Sequence, residues 1–329
     1  MAKQRELRDP IHGFIQRSEA EEKIIDTTVF QRLRGIKQLA MAHLVYPGAM
    51  HTRFEHSIGA MHVAGRLSDR LFSKDNETTR TIRFSALLHD IGHGPFSHVS
   101  ENLLDRYFNS GKVKPKAKEK IHELLTFDII EKNAEVGKLL SHQEREKIIG
   151  YLSGSQGESI FREIISGPLD ADKQDYLLRD SYYCGVKYGV FDIERLTGTL
   201  QAHPDGPDHV LAATLDGIYA IEQFVIAKYH MTTQVYRHRI RLISDAMIVR
   251  ALELGLDEDN LPWLKKLYAY DGSEEYISEF LKWDDTRLTT ALLYPLESPG
   301  LATELFWRLK ERKLFKSVFE EGVLKSVEN

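Results

Sequence analysis

His56, the adjacent pair His89-Asp90 and the distant Asp172 are residue types that hold divalent metal ions. Two imidazoles and two carboxylates make a mixed nitrogen and oxygen site, unlike the thiolate sets of structural zinc. Such ligation suits iron, manganese, zinc, cobalt or magnesium, and a second magnesium can be carried on phosphate oxygens. An ion held this way lowers the pKa of water and directs it at phosphorus. The pair lies in Leu87-Leu88-His89-Asp90-Ile91-Gly92-His93-Gly94-Pro95-Phe96-Ser97-His98, an apolar run that abruptly gathers ionisable groups. One isolated histidine reads best as a hydrogen-bonded structural residue. Three around a Gly-Pro break, beside an aspartate, point to a functional site, and they need not all touch the metal.

Positioning these groups falls to helices. Leu87 to Ile91 is expected to be helical, setting His89 and His93 one turn apart on one face. Gly92, Gly94 and Pro95 then end that helix, so His98 approaches from a new direction. Helical spacing recurs in four stripes: Val29, Leu33, Ile36, Leu39; Ile121, Leu124, Leu125, Ile129; Ile240, Ile243, Met247, Ala251; and Leu301, Leu305, Leu309. Strand signals are few, at Ile11 to Ile15 and at Val210 to Leu215 after the turn-rich His203-Pro204-Asp205-Gly206-Pro207. The fold class read from this pattern is mainly α. A compact helical core is expected over residues 1–250, with a smaller mixed α/β extension over residues 251–329 packed on it.

Composition bounds the function. A hydrophobic fraction of 42% over 329 residues can fill a sizeable core. The single Cys184 rules out an intramolecular disulfide and fits a reducing compartment. No apolar run approaches the length of a membrane span, and the first residues lack a signal-peptide stretch, so a cytoplasmic location is expected. A net charge of −5 gives no global field to recruit nucleic acid, although a local pocket can still be basic. The lysine run Lys112, Lys114, Lys116, Lys118, Lys120 is expected to be a solvated loop.

The blocks around these residues resemble one family. Asp9-Pro10-Ile11-His12-Gly13, Phe30-Gln31-Arg32-Leu33-Arg34, Ile36-Lys37-Gln38-Leu39, Tyr46-Pro47-Gly48-Ala49 and Arg53-Phe54-Glu55-His56-Ser57 are similar to those of deoxynucleoside triphosphate triphosphohydrolases in the HD-domain superfamily. So are Leu87 through His98 and the block Asp172-Lys173-Gln174-Asp175-Tyr176-Leu177-Leu178-Arg179-Asp180. This branch includes the vertebrate sterile-alpha-motif-and-HD-domain enzyme and bacterial relatives; the extra N-terminal domain of the vertebrate enzyme has no counterpart in the sequence. The resemblance implies an HD-type helical core with His56, His89, Asp90 and Asp172 as metal ligands. It implies hydrolysis of a dNTP to deoxynucleoside and inorganic triphosphate, by metal-bound hydroxide attacking the α-phosphorus.

By the same resemblance, His98 is the general acid, while His93 and His122 support proton transfer and bind the α-phosphate. Arg53 and Lys173 would hold phosphates, with Gln38 and Asp180 on the sugar 3′-hydroxyl. Tyr176 would crowd the 2′ position and Tyr236 would lie at the base end. Lys228 stands where the family can carry a phosphate-binding arginine, which keeps charge and loses the bidentate fork. The resemblance also implies a homo-oligomer, dimer or tetramer, and a nucleotide effector, with Arg195 and Arg239 at two of the basic effector positions. Two other functions share these motifs. An HD phosphodiesterase or nuclease would need a basic, aromatic-lined groove. A non-catalytic nucleotide sensor would not need a proton donor.

Overall fold

The computed structural model describes residues 5–72, 75–115, 120–296 and 299–316. It is mainly helical, with two small two-stranded antiparallel sheets. Three of the expected stripes lie on helices, Ile121–Lys132, Arg239–Asp257 and Leu301–Lys310. Their apolar faces meet in the largest core, where Leu125, Met247 and Leu305 share one cluster with Phe30 and Leu88. The helix Arg239–Asp257 runs across residue 250. A second core, built on Leu177, Phe224 and Met231, packs the helix Ala171–Cys184 against Ile218–Met231. A third, including Ala64, Ile82 and Ile164, lies beneath the hairpin that begins at Leu200.

The fourth stripe does not form a continuous helix. Val29, Leu33, Ile36 and Leu39 are all buried, but Thr28–Gln31 is one helical turn and Arg32–Gly35 is 3₁₀. The chain then extends so that Lys37 pairs with Thr52. Arg53 N donates to the Ile36 carbonyl at 2.9 Å, and Gln38 N to the His51 carbonyl at 3.1 Å. Long-range backbone pairing therefore overrides the local period, and it sets Gln38 beside Arg53.

The expected strand at Ile11 to Ile15 begins two residues later, as Gly13–Arg17 paired with Arg5–Asp9. Ile11 and His12 instead form a turn, held by the Asp9 carboxylate, which accepts from both of their backbone N–H groups at 2.9 Å. The second hairpin pairs Leu200–Asp205 with Asp208–Ala213, so Leu215 lies beyond its strand in a 3₁₀ turn. Of the lysine run, Lys112 is exposed and pairs with Asp271 at 2.8 Å. Lys116 and Lys118 lie outside the described residues. Among those described, no helix is long and apolar enough to cross a membrane.

Candidate active site

Three helices deliver the predicted ligands. The helix Arg53–Leu71 begins at a capping box made by Thr52 and Glu55, and its first turn carries His56. The helix Asn76–Leu88 is capped by Asp75 and stops at Leu88. His89 and His93 are thus not one turn apart on a helix; Asp90 to His93 run through tight turns instead. Gly92 explains the break. Its backbone presses against the helix Ile121–Lys132, where any Cβ would collide with Thr126 and the His122 backbone. Asp170 caps the helix Ala171–Cys184, accepting from Lys173 N at 2.7 Å and placing Asp172 in the first turn.

The four side chains converge. His56 Nε2 lies 2.9 Å from Asp172 Oδ1, and His89 Nε2 lies 3.6 Å from the same oxygen. Asp90 Oδ1 is 3.3 Å from His89 Nε2, and Asp90 Oδ2 is 3.7 Å from His56 Nε2. Both imidazoles are fixed from behind. His56 Nδ1 is hydrogen-bonded to the Asp175 carboxylate at 2.8 Å, and His89 Nδ1 donates to the Ala86 carbonyl at 2.7 Å. Each ring therefore turns its Nε2 lone pair toward Asp172, the orientation that ligating histidines adopt.

Both Nε2 atoms are buried without a hydrogen-bond partner, which is a cost unless a cation takes them. Burial would lower the His56 imidazole, yet Asp172 and Asp175 outweigh it and hold it up at about 10. Burial likewise works against the Asp172 charge, but His56 and His89 keep its carboxyl well below the usual range. The cluster thus demands positive charge between its ligands, and the donor set fits a divalent ion.

A second cluster adjoins it. Glu101 Oε1 lies 2.9 Å from His93 Nδ1 and 2.8 Å from His98 Nδ1, with His122 Nδ1 3.5 Å from Oε2. The His93 and His122 rings stack at 4.7 Å. His93 also reaches back to Asp90, Nε2 to Oδ1 at 3.2 Å, so the two clusters are continuous. Burial and the neighbouring His93 push the His122 imidazole down to about 3. Partial desolvation draws His98 below its ordinary value against the upward pull of Glu101. Nothing in the spacing singled out Glu101; the available signal was its place one turn after His98, facing the same way.

A cavity of about 620 Å³ joins both clusters. Its wall carries Gln38, Arg53, His89, Asp90, His93, His98, His122, Asp172 and Tyr176. His56 is buried behind that wall. Arg53 is buried too, bonding Asp90 at 2.5 Å and Ser97 Oγ at 2.7 Å while its Nη2 stays free. Burial and Asp172 push the Tyr176 phenol above its ordinary value, so it stays a neutral donor.

Four of the predicted substrate contacts are also off the wall. Lys173 Nζ is bound to Asp170 at 2.5 Å and to the Gly167 carbonyl at 3.1 Å. Asp180 is committed to His51 and to the Tyr236 hydroxyl, each at 2.7 Å. Tyr236 stands behind Tyr176, with ring centroids 6.2 Å apart. Lys228 is half-buried on Ile218–Met231. Arg195 pairs with Asp216 at 3.0 Å and Arg239 starts a helix, both away from this cavity.

Comparison with known proteins gives the chain's relatives. The HD domain model matches residues 53–180, which contain all four predicted ligands, and the HD associated region matches residues 191–327. An uncharacterized protein of Methanocaldococcus jannaschii is 38% identical over 78% of this chain and 51% of its own length. The deoxynucleoside triphosphate triphosphohydrolase SAMHD1 of Gallus gallus is 28% identical over 95% of this chain and 55% of that one. The chain therefore spans about half the length of these curated relatives. A crystal structure of a hypothetical protein from Aquifex aeolicus superposes with a TM-score of 0.79 at 33% identity, covering 96% of this chain and 78% of that one.

Proposed function

The chain belongs to the HD-domain family, and we propose that it hydrolyses deoxynucleoside triphosphates to deoxynucleoside and inorganic triphosphate. The observation that carries this reading is one cavity in which a His/Asp metal centre adjoins a Glu101-linked set of three imidazoles. Mere binding needs no such proton-handling group, whereas breaking a P–O bond does.

His56, His89, Asp90 and Asp172 would hold a divalent ion, which lowers the pKa of water and polarises a phosphoryl oxygen. Arg53 offers its free Nη2 to a nonbridging α-phosphate oxygen, where negative charge develops. His98, projecting into the cavity, gives its proton to the departing 5′-oxygen as the bond to phosphorus breaks. Glu101 holds that imidazole and His93 in place. Water supplies the oxygen added to phosphorus, so the new oxygen leaves in the triphosphate.

Gln38 presents an unpaired, buried Oε1 to the sugar 3′-hydroxyl. Tyr176 narrows the site against a 2′-hydroxyl, and a buried polar group without a partner penalises the wrong sugar. Asp180 and Tyr236 act from behind by fixing that wall. Lys173 reaches a phosphate only by exchanging Asp170, whose carboxyl burial and Asp172 push up to about 7.

The test is incubation of purified protein with each dNTP, each NTP and a single-stranded oligonucleotide under several divalent metals. Inorganic triphosphate from dNTPs alone is the expected result. Pyrophosphate release, or cleavage of the oligonucleotide in preference to dNTPs, would replace this reading with a phosphodiesterase or nuclease.

A further inference from the structure

The roles above leave one end of the cavity without a task. Beyond the histidines its wall runs over Phe127, Ser153, Gly154, Ser155, Arg162 and Ser166. Arg162 belongs to the helix Ser159–Ser166, is exposed, and makes no side-chain hydrogen bond or ion pair among the described residues. The other cations near this cavity are largely committed, Arg53 to Asp90 and Ser97, Lys173 to Asp170. A triphosphate brings several negative charges, more than one free Arg53 nitrogen can answer.

Gly154 ties Arg162 to the site. It caps the helix His142–Ser153 in the left-handed region, φ 71°. A Cβ there would stand 2.7 Å from Arg162 Cδ and 3.2 Å from Nη1, so the arginine stem lies directly over the bare glycine. Serine hydroxyls surround this stretch of wall at Ser153, Ser155 and Ser166. Glu123, which also lines the cavity, points an oxygen at Lys120 N, 3.5 Å away. A forked, uncommitted guanidinium among small hydroxyls is suited to phosphate oxygens.

We propose that Arg162 is a substrate-binding residue that engages the terminal phosphates of the triphosphate. This rests on the cavity being a triphosphohydrolase site. The assays are steady-state kinetics with dNTPs and calorimetric titration with inorganic tripolyphosphate and orthophosphate, on the wild type, Arg162→Gln and Arg162→Lys. Arg162→Gln is expected to raise KM and weaken tripolyphosphate binding by roughly 10- to 100-fold, with a smaller change in kcat. Orthophosphate affinity and metal content should stay unchanged, and Arg162→Lys should recover part of the loss. Unchanged KM and tripolyphosphate affinity in Arg162→Gln would overturn the assignment while leaving the triphosphohydrolase reading intact. Should the wild type hydrolyse no dNTP, that reading fails, and the titration still decides. Tripolyphosphate bound by the wild type and lost in Arg162→Gln sustains the anion site; equal binding, or none, removes it.

Discussion

Replacing Glu101 by Gln tests the proposed proton-handling cluster without altering any of the proposed metal ligands. The carboxylate is 11% exposed and faces three imidazoles, at 2.9 Å from His93, 2.8 Å from His98 and 3.5 Å from His122. Burial would raise its carboxyl, but His93 and His98 hold it far below the usual range. The reciprocal effect is that its charge favours the protonated imidazoles. Glutamine keeps the shape, removes the charge and turns an N–H₂ toward part of the cluster. A hydrogen bond to a charged group is worth about 1.5–3 kcal/mol, and about 1.4 kcal/mol corresponds to one pKa unit. Losing one such contact at His98 therefore lowers its pKa by about 1–2 units. A general acid must hold its proton, so the alkaline limb of kcat should move to lower pH by that amount. At neutral pH kcat should fall roughly 10- to 100-fold, and the deficit should shrink on acidification. The assay is kcat for dNTP hydrolysis between about pH 5 and 9, with metal content measured on the same samples. An unmoved alkaline limb would refute the role, as would a loss of metal that accounts for the fall in rate.

Three further outcomes are expected. Asp175→Asn should cost roughly 10- to 100-fold in metal affinity, because His56 loses the carboxylate behind its Nδ1. It should also cost about 3–5 kcal/mol of stability, since the buried Arg179 keeps only Asp9; wild-type affinity in a metal titration would exclude the role. His98→Ala should abolish turnover with metal retained, whereas Asp172→Ala should lose both. Full activity in either variant would strike that residue from the mechanism. Burial, with His12 and Arg66 nearby, depresses the His62 imidazole to about 4. The unfolded chain binds that proton more tightly, at about pH 6.5, so stability is complete above 6.5 and is lost as pH falls toward 4. Allowing for partial exposure, His62→Gln should remove about 2 kcal/mol of this acid sensitivity in urea titrations. An unchanged pH slope would show that His62 is not its source.

The convergence of His56, His89, Asp90 and Asp172 was legible because these residue types are conspicuous where they stand. An His-Asp pair inside Leu87 to Ile91 has no cheap structural explanation, since buried charge must be paired. The stripes at Ile121, Ile240 and Leu301 were legible for a similar reason, each being an apolar face that has to be covered. Val29 to Leu39 shows the limit of that logic. Four buried residues at helical spacing are satisfied equally well by a turn, a 3₁₀ segment and an extended pair, and only the backbone pairing with His51 to Arg53 decides. Glu101 and Arg162 were hidden differently. A carboxylate one turn after a histidine resembles an ordinary surface pair until the fold brings His93 and His122 to it.

The segment between the two clusters carries this furthest. Phe96 and Ser97 occupy left-handed backbone, φ 60° and 48°, which disfavours any residue but glycine and costs about 1–3 kcal/mol each. Reading local propensity alone would place glycine there or reject the conformation. The strain persists because distant groups hold it. Asp285 accepts from Phe96 N at 2.7 Å, and Ser97 Oγ accepts from Arg53 Nε at 2.7 Å. The same two residues start the helix that presents His98 and Glu101, and Arg53 also holds Asp90. Local rules therefore fail where Asp90 and His98, the proposed ligand and proton donor, are set relative to each other, the place where strain is stored and offset by the rest of the fold.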